Sequence, residues 1–288
     1  MKRIAILGCE NSHANEFLRF IKEKEEFSDV EVVGVYSDER ETAEKLNEKF
    51  GVPVMDGYAD AVGKIDGLII TARHGDNHYK YAKPYIDSGI PMFIDKPITI
   101  NEDEAIEFMK ELMKGNIRIS GGSSLKQDVF VRKLKQDAKN QEGRIVGGYV
   151  RAPYESQNKY GGFYFYSQHL VEMVCEIFGR FPTSVTAKQN GNQIHVLFRY
   201  ENYDCVGLYC DNNSFYYASL MTETDAISHV VPITENWFYE EFKEFYDLLS
   251  GGKQTADYKE FISPVFILNA IERSLNSGKE ELVGKIQL

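Results

Sequence analysis

The strongest chemical signal in this chain is Phe93-Ile94-Asp95-Lys96-Pro97, an apolar run that ends in an acid, a lysine and a proline. Lysine is costly to bury, and its pKa moves readily when it is desolvated. A lysine fixed at a strand exit beside a carboxylate and a φ-locked proline is therefore a candidate proton donor or acceptor. The plain alternative is a solvated strand end, since Lys-Pro is common loop punctuation. A second candidate, His169, closes the aromatic run Tyr160-Gly161-Gly162-Phe163-Tyr164-Phe165-Tyr166-Ser167-Gln168-His169. Two further pairs, Glu10 with His13 (i, i+3) and His74 with His78 (i, i+4), carry side chains competent to ligate zinc or a similar ion.

The elements around these residues follow from hydrophobic spacing. Lys2 to Leu7 is an apolar run that breaks at Gly8, and Asn11-Ser12-His13-Ala14 leads into Phe17, Leu18, Phe20 and Ile21 at helical intervals. Val30 to Tyr36 forms the next strand, ending at Ser37-Asp38, and a helix through Ala43, Leu46 and Phe50 closes on Gly51. Further strands are expected at Gly67 to Thr71, Phe93 to Asp95 and Ile117 to Ser120. Helices lie between them, one opened by an Asn101 cap with Glu104 three residues on. This alternation predicts a doubly wound parallel sheet of the Rossmann type, with its ligand cleft at the carboxyl ends of the strands. A turn after the first strand would set a pyrophosphate on a helix N-terminus.

After about residue 121 the pattern changes. A helix from about Asp128 to Lys139, a strand near Ile145 to Val150, and a helix marked by Leu170, Val171, Val174 and Ile177 precede β-rich runs between Ser184 and His229. Their alternation predicts a largely antiparallel sheet with one open face, and helices return near Trp237 to Leu249 and Ile262 to Asn276. The expected fold is α/β, with residues 1–120 as a dinucleotide-binding Rossmann-type domain and 121–288 as an α+β domain.

With 288 residues, 43% of them hydrophobic, the chain can bury two cores. A formal net charge of −11 with no basic patch argues against nucleic acid, and no apolar stretch is long enough to cross a bilayer. Four cysteines without C-x-x-C spacing fit a reducing compartment, so a soluble cytoplasmic protein is expected.

Together these pieces resemble the Gfo/Idh/MocA dehydrogenases, the glucose-fructose oxidoreductase and inositol dehydrogenase family. The resemblance rests on Ile4 to Gly8, Asp66 to Thr71, Asn77-His78, Asp95-Lys96-Pro97, Gly161-Gly162 with His169, and Asn269 to Gly278. It implies an NAD(P)-dependent oxidoreductase acting on CH–OH groups of a sugar, polyol or related hydroxy compound. Lys96 and His169 would then be catalytic and Asp95 would hold the lysine, which is expected to stand in the open cleft and not in the core. Gly8, Asn11, Ser12, Ser37, Asp38, Thr71, Arg73, His78 and Lys96 would bind the cofactor. Asp38 after Ser37 favours NAD, with NADP possible. The resemblance also implies a homodimer or homotetramer formed through the open face of the second sheet, whose domain would bind the substrate.

The chain departs from that pattern at four places. Glu10 and His13 stand where the second and third glycines of G-x-G-x-x-G would be, Asp95 replaces a glutamate, and Phe165 occupies the place of an aspartate four residues before the histidine. A carboxylate facing a pyrophosphate would repel it, unless Glu10 turns away and Asn11 and Ser12 supply donors. Two alternatives therefore stand beside hydride transfer. One is a non-catalytic ligand-binding or sensor relative with the same fold; the other is a metal-dependent enzyme using Glu10, His13, His74 and His78.

Overall fold

The computed structural model describes residues 1–140, 144–211 and 213–288. In chain order its elements begin with β1 (Lys2–Leu7), α1 (Ser12–Glu23), β2 (Val30–Tyr36), α2 (Arg40–Phe50), β3 (Gly67–Ile70), α3 (Asp76–Ala82), β4 (Met92–Asp95), α4 (Glu102–Lys114) and β5 (Ile119–Gly122). They continue with α5 (Val129–Asn140), β6 (Ile145–Tyr154), α6 (Tyr164–Phe178), β7 (Ser184–Asn190), β8 (Gln193–Arg199), β9 (Asp204–Asp211), β10 (Tyr216–Thr222) and β11 (Ala226–Val231). Last come α7 (Glu235–Leu249), α8 (Tyr258–Ser277) and β12 (Glu281–Leu282). Among the described residues, no helix is long and apolar enough to cross a membrane.

The first sheet is parallel, in the order β2-β1-β3-β4-β5. Its central strands are apolar on both faces because both faces are covered: Ile4 and Ile6 pack with Phe17 and Phe93 on one side, Ala5 and Leu7 with Tyr79 and Phe108 on the other. The strand order reverses at β1, which places a crevice at the carboxyl ends of β1 and β3. Gly8 ends β1 at φ +72°, and a Cβ there would meet the Ala72 backbone at 2.4 Å, so glycine is required by conformation and by space.

The second sheet has the order β11-β10-β6-β9-β8-β7-β12 and is antiparallel apart from the parallel β6–β9 pair, as expected of a largely antiparallel sheet. One face packs on α6 and the second half of α8. The other carries Val146, Val206, Met221 and Val230, all exposed.

Several boundaries differ from expectation. β5 begins at Ile119, because Asn116 and Ile117 still close the last turn of α4 through bonds to the Met113 and Leu112 carbonyls. The helix expected around Leu170 to Ile177 starts at Tyr164, so His169 and part of the aromatic run lie inside it. The cut between residues 120 and 121 falls inside β5, whose Gly121 and Gly122 still pair with β4, and it does not divide the two cores. Phe242 and Phe245 of α7 join the core of the first sheet, and so do Phe261, Ile262, Val265 and Phe266 of α8.

Pro264 sits within α8 and cannot donate to the Glu260 carbonyl. Ser263 Oγ (2.9 Å) and Arg180 Nη1 (3.2 Å) donate to that carbonyl instead, so the helix continues through the proline.

Candidate active site

The candidate residues collect at the carboxyl edge of the first sheet, where the second domain leans over it. Lys96 follows β4 and is only 3% exposed. Its ammonium lies 4.8 Å from the centroid of the Phe165 ring and 5.2 Å from that of Tyr166, both from the first turn of α6. Burial pushes its pKa down, against the pull of Asp95. The expectation of an open position is thus corrected: aromatic rings from the second domain cover this lysine, and they satisfy its charge in part through cation–π contact.

Asp95 is also placed otherwise than expected. Its Oδ1 accepts from the Lys96 backbone N–H (2.7 Å) and its Oδ2 from Asn11 Nδ2 (2.6 Å), so it anchors the lysine's main chain and the entry to α1. No hydrogen bond joins it to the lysine ammonium among the described contacts. On its far side His13 brings Nδ1 to 3.2 Å from Asp95 Oδ2, off the hydrogen-bond direction, and Nε2 to 3.1 Å from Glu241 Oε2. Burial raises the pKa of Asp95 and of Glu241 and lowers that of His13, driving all three toward neutral forms. Glu241 was not singled out from the sequence. The signal lay in its spacing, since it falls four residues after Trp237 and four before Phe245, on the buried stripe of α7.

His169 is 6% exposed, and its Nδ1 lies 2.7 Å from Ser123 Oγ, just beyond β5. Ser123 Oγ also accepts from the Leu125 N–H at 3.3 Å. Burial, and then the Lys96 charge, hold the imidazole well below its ordinary pKa. The Tyr166 ring touches both candidates, with its centroid 4.9 Å from the His169 ring. Lys96 and His169, from different lobes, therefore both approach one phenol, the last ring of the Phe163 to Tyr166 run that could stack on a sugar.

The residues named for a cofactor divide into two groups. Ser12 is exposed at the start of α1, while Asn11 spends its Oδ1 on the Ser12 N–H (2.7 Å). Asp38 is half exposed and accepts from the Tyr36 hydroxyl (2.6 Å), with Lys80 at 3.5 Å. Thr71 is buried and donates to the Gly8 carbonyl (3.0 Å). His78 is fully buried, with Nδ1 3.2 Å from the Ile98 carbonyl and Nε2 2.8 Å from that of Ala72, which leaves no ring edge for a ligand. In this arrangement His78 is a structural residue.

Burial lowers the His78 pKa to about 4, below the ordinary value near 6.5 of an unfolded histidine. The unfolded chain therefore binds more protons between those two values. His78 contributes its full stability above about pH 6.5 and loses it as pH falls toward 4. Replacing it with glutamine is expected to remove about 2–3 kcal/mol of the stability lost between pH 7 and pH 4.5. Urea unfolding of both proteins at the two pH values checks this; equal losses would contradict it.

Two residues of the second domain cross the mouth of the crevice. The Tyr160 hydroxyl donates to Glu39 Oε1 (3.0 Å), beyond β2, and the Lys159 ammonium pairs with the same oxygen at 2.8 Å. Arg73, beyond β3, lays its guanidinium 5.1 Å from the Tyr160 ring and 5.9 Å from that of Phe165. Because β1 lies between β2 and β3, this strap passes over the turn at Gly8. Beside it remains a recess of about 360 Å³ lined by Glu10, Ser37, Asp38, Glu39, Asp76 and Lys159 among others. A larger hollow of about 950 Å³ lies elsewhere, against α5 to α7, where Lys126 pairs with Glu244 and Arg180 with Glu172.

The metal reading required Glu10, His13, His74 and His78 to converge, and they do not. Glu10 bonds Ser37 and Arg73, His13 faces Asp95 and Glu241, His74 accepts from the Asp76 N–H, and His78 faces carbonyls. No group of three His, Cys, Asp or Glu among the described residues is placed to hold a metal ion. The reading fails because the i, i+3 and i, i+4 spacings set the paired side chains in separate surroundings.

Residues 2–122 match a family model described as "Oxidoreductase family, NAD-binding Rossmann fold", that of the Gfo/Idh/MocA proteins. No curated protein matches the chain in sequence. Solved structures match over nearly its whole length. A myo-inositol dehydrogenase from Corynebacterium glutamicum superposes with a TM-score of 0.83 at 14% identity, covering 99% of both chains. A scyllo-inositol dehydrogenase from Lactobacillus casei, solved with NAD(H) and scyllo-inositol, gives 0.83 at 14%, covering 99% of this chain and 100% of that one. GenD2 from gentamicin A biosynthesis, in complex with NAD, gives 0.84 at 13%, covering 99% and 97%. At these identities the likeness is one of fold.

Proposed function

We propose that this protein, whose residues 2–122 match the NAD-binding Rossmann fold of the Gfo/Idh/MocA oxidoreductases, transfers a hydride between a nicotinamide cofactor and a CH–OH group of a sugar, polyol or related hydroxy compound. The observation that carries this reading is the approach of Lys96 and His169, one from each lobe, to the same Tyr166 ring.

The residues fit a dinucleotide at Gly8, where no side chain can stand, and at Ser37 and Asp38, which close β2 on the adenosine side. Ser12, Arg73 and Lys96 complete the set that would hold it. The carboxylate of Asp38 favours the two ribose hydroxyls of NAD over the phosphate of NADP. When bound, the nicotinamide supplies the acceptor or donor of the hydride.

The chain's own residues handle the proton. With Nδ1 engaged by Ser123, the Nε2 atom of His169 is free to take the proton of a substrate hydroxyl, and its lowered pKa keeps it neutral and able to do so. The Lys96 ammonium polarises the same oxygen, and the Phe165 and Tyr166 rings exclude water around both. The open face of the second sheet, with Val206, Met221 and Val230 exposed among polar residues, supports assembly into a dimer or tetramer.

Expected results are saturable NADH binding and NAD reduction with at least one member of a panel of inositols and hexoses. His169→Ala is expected to lower turnover by about 10²–10⁴-fold. The acid limb of the wild-type pH profile should lie below pH 6.5, because burial lowers His169, and the variant should lose that limb. Failure of NADH and NADPH to bind at millimolar concentration would remove the reading. The burial of Lys96 favours one second reading, a ligand-binding relative without turnover. Cofactor binding with no oxidation across the panel would select it.

A further inference from the structure

Glu10 stands at the second glycine position of the phosphate turn, and its side chain lies across the turn and does not point away from it. Its Oε1 accepts from the Arg73 N–H at 3.0 Å and its Oε2 from the Ser37 hydroxyl at 2.7 Å. These donors come from the segments that follow β3 and β2, the two neighbours of β1. A pyrophosphate on the Gly8 turn would draw on donors from these same segments. The Ser12 N–H at the head of α1 is likewise taken, by Asn11 Oδ1 at 2.7 Å. The turn thus carries its own anion, hydrogen-bonded on both oxygens, with Tyr160 and Lys159 tied to Glu39 over it.

From this arrangement we propose that Glu10 is the residue that sets dinucleotide affinity in this protein: its carboxylate holds the phosphate position, and NAD enters only by displacing it. The inference rests on the hydride-transfer reading above and specifies the cost of admitting the cofactor. Two effects act together. The carboxylate must give up two hydrogen bonds, and wherever it moves within the turn it remains a negative charge within a few ångströms of a dianionic pyrophosphate. At about 4 Å such a repulsion is large enough to change affinity by more than tenfold in a partly buried site. Charge and bulk can be separated, because repulsion is screened by salt and steric exclusion is not.

The test is titration of NADH into the full-length wild type, Glu10→Ala and Glu10→Gln by calorimetry and nicotinamide fluorescence, at about 20 mM and 300 mM salt. Glu10→Ala is expected to bind at least about tenfold more tightly than wild type at low salt, with the advantage shrinking at high salt. Glu10→Gln, which keeps the shape and loses the charge, is expected to fall between them and guards against misfolding of the alanine variant. Equal micromolar binding by wild type and variants would overturn the role of Glu10 and leave the hydride-transfer reading standing. No binding by any of the three would overturn both.

Discussion

Lys96→Met is expected to lower turnover by about 10²–10⁴-fold, the range in which a positioned proton-transfer or polarising group acts. Methionine is the appropriate replacement because it matches the length and flexibility of the lysine stem and removes only the charge. The stem is enclosed, so truncation to alanine would leave a void beneath Phe165 and Tyr166 and mix packing with chemistry. Burial already disfavours the ammonium, so the neutral variant is expected to fold at least as stably as the wild type. The checks are steady-state rates with the best polyol substrate and the urea midpoint of both proteins. A rate within threefold of wild type, with an unchanged midpoint, would end the catalytic assignment of Lys96.

The second large effect concerns architecture. Phe242→Ala is expected to destabilise the protein by about 3–5 kcal/mol, the cost of an emptied aromatic site in a close-packed core. Phe242 is fully buried on α7, with its ring centroid 4.8 Å from that of Phe27 and 5.2 Å from that of Phe17. Both partners belong to the first thirty residues, so the substitution tests whether a helix more than two hundred residues later completes the N-terminal core. Denaturant unfolding gives the magnitude. A loss below about 1 kcal/mol would mean that α7 is a detachable appendage.

Much of the first domain is legible in its residues. Val30–Tyr36 reads as a strand from its β-branched run, and the Asn101 cap is found bonded to the Asp103 and Glu104 amides. Gly51 and Gly89 end their helical segments in the left-handed conformation that glycine permits. These features are local, and local physics fixes them. The candidate site was legible in identity but not in environment. Lys96, His169 and Asp95 can be named from their motifs, yet the rings over Lys96 arrive from seventy residues away, and Asp95 turns toward Asn11 and His13 on α1. Glu241 and Tyr160 act on this edge only because α7 and the 159–160 segment return to it; spacing along α7 marks Glu241 as buried but does not say what it meets. The metal reading failed for the same reason: a short interval in sequence sets two side chains near each other and says nothing of what each one faces.

Helix α8 has a mechanical consequence. Its first half, with Phe261, Ile262, Val265 and Phe266, is embedded in one core, and its second half, with Ile267, Leu268, Ala270 and Ile271, in the other. A single rod of 20 residues pinned at both ends resists a clamshell rotation of the lobes, since any change in their angle must bend the rod or strip apolar surface from one end. Entry of the proposed dinucleotide over the first sheet would then require the 159–160 crossing to lift away, against one tyrosine hydroxyl, one lysine and the arginine beside the Tyr160 ring. The speed of admission would accordingly track the strength of those three contacts and be indifferent to the global stability of the protein.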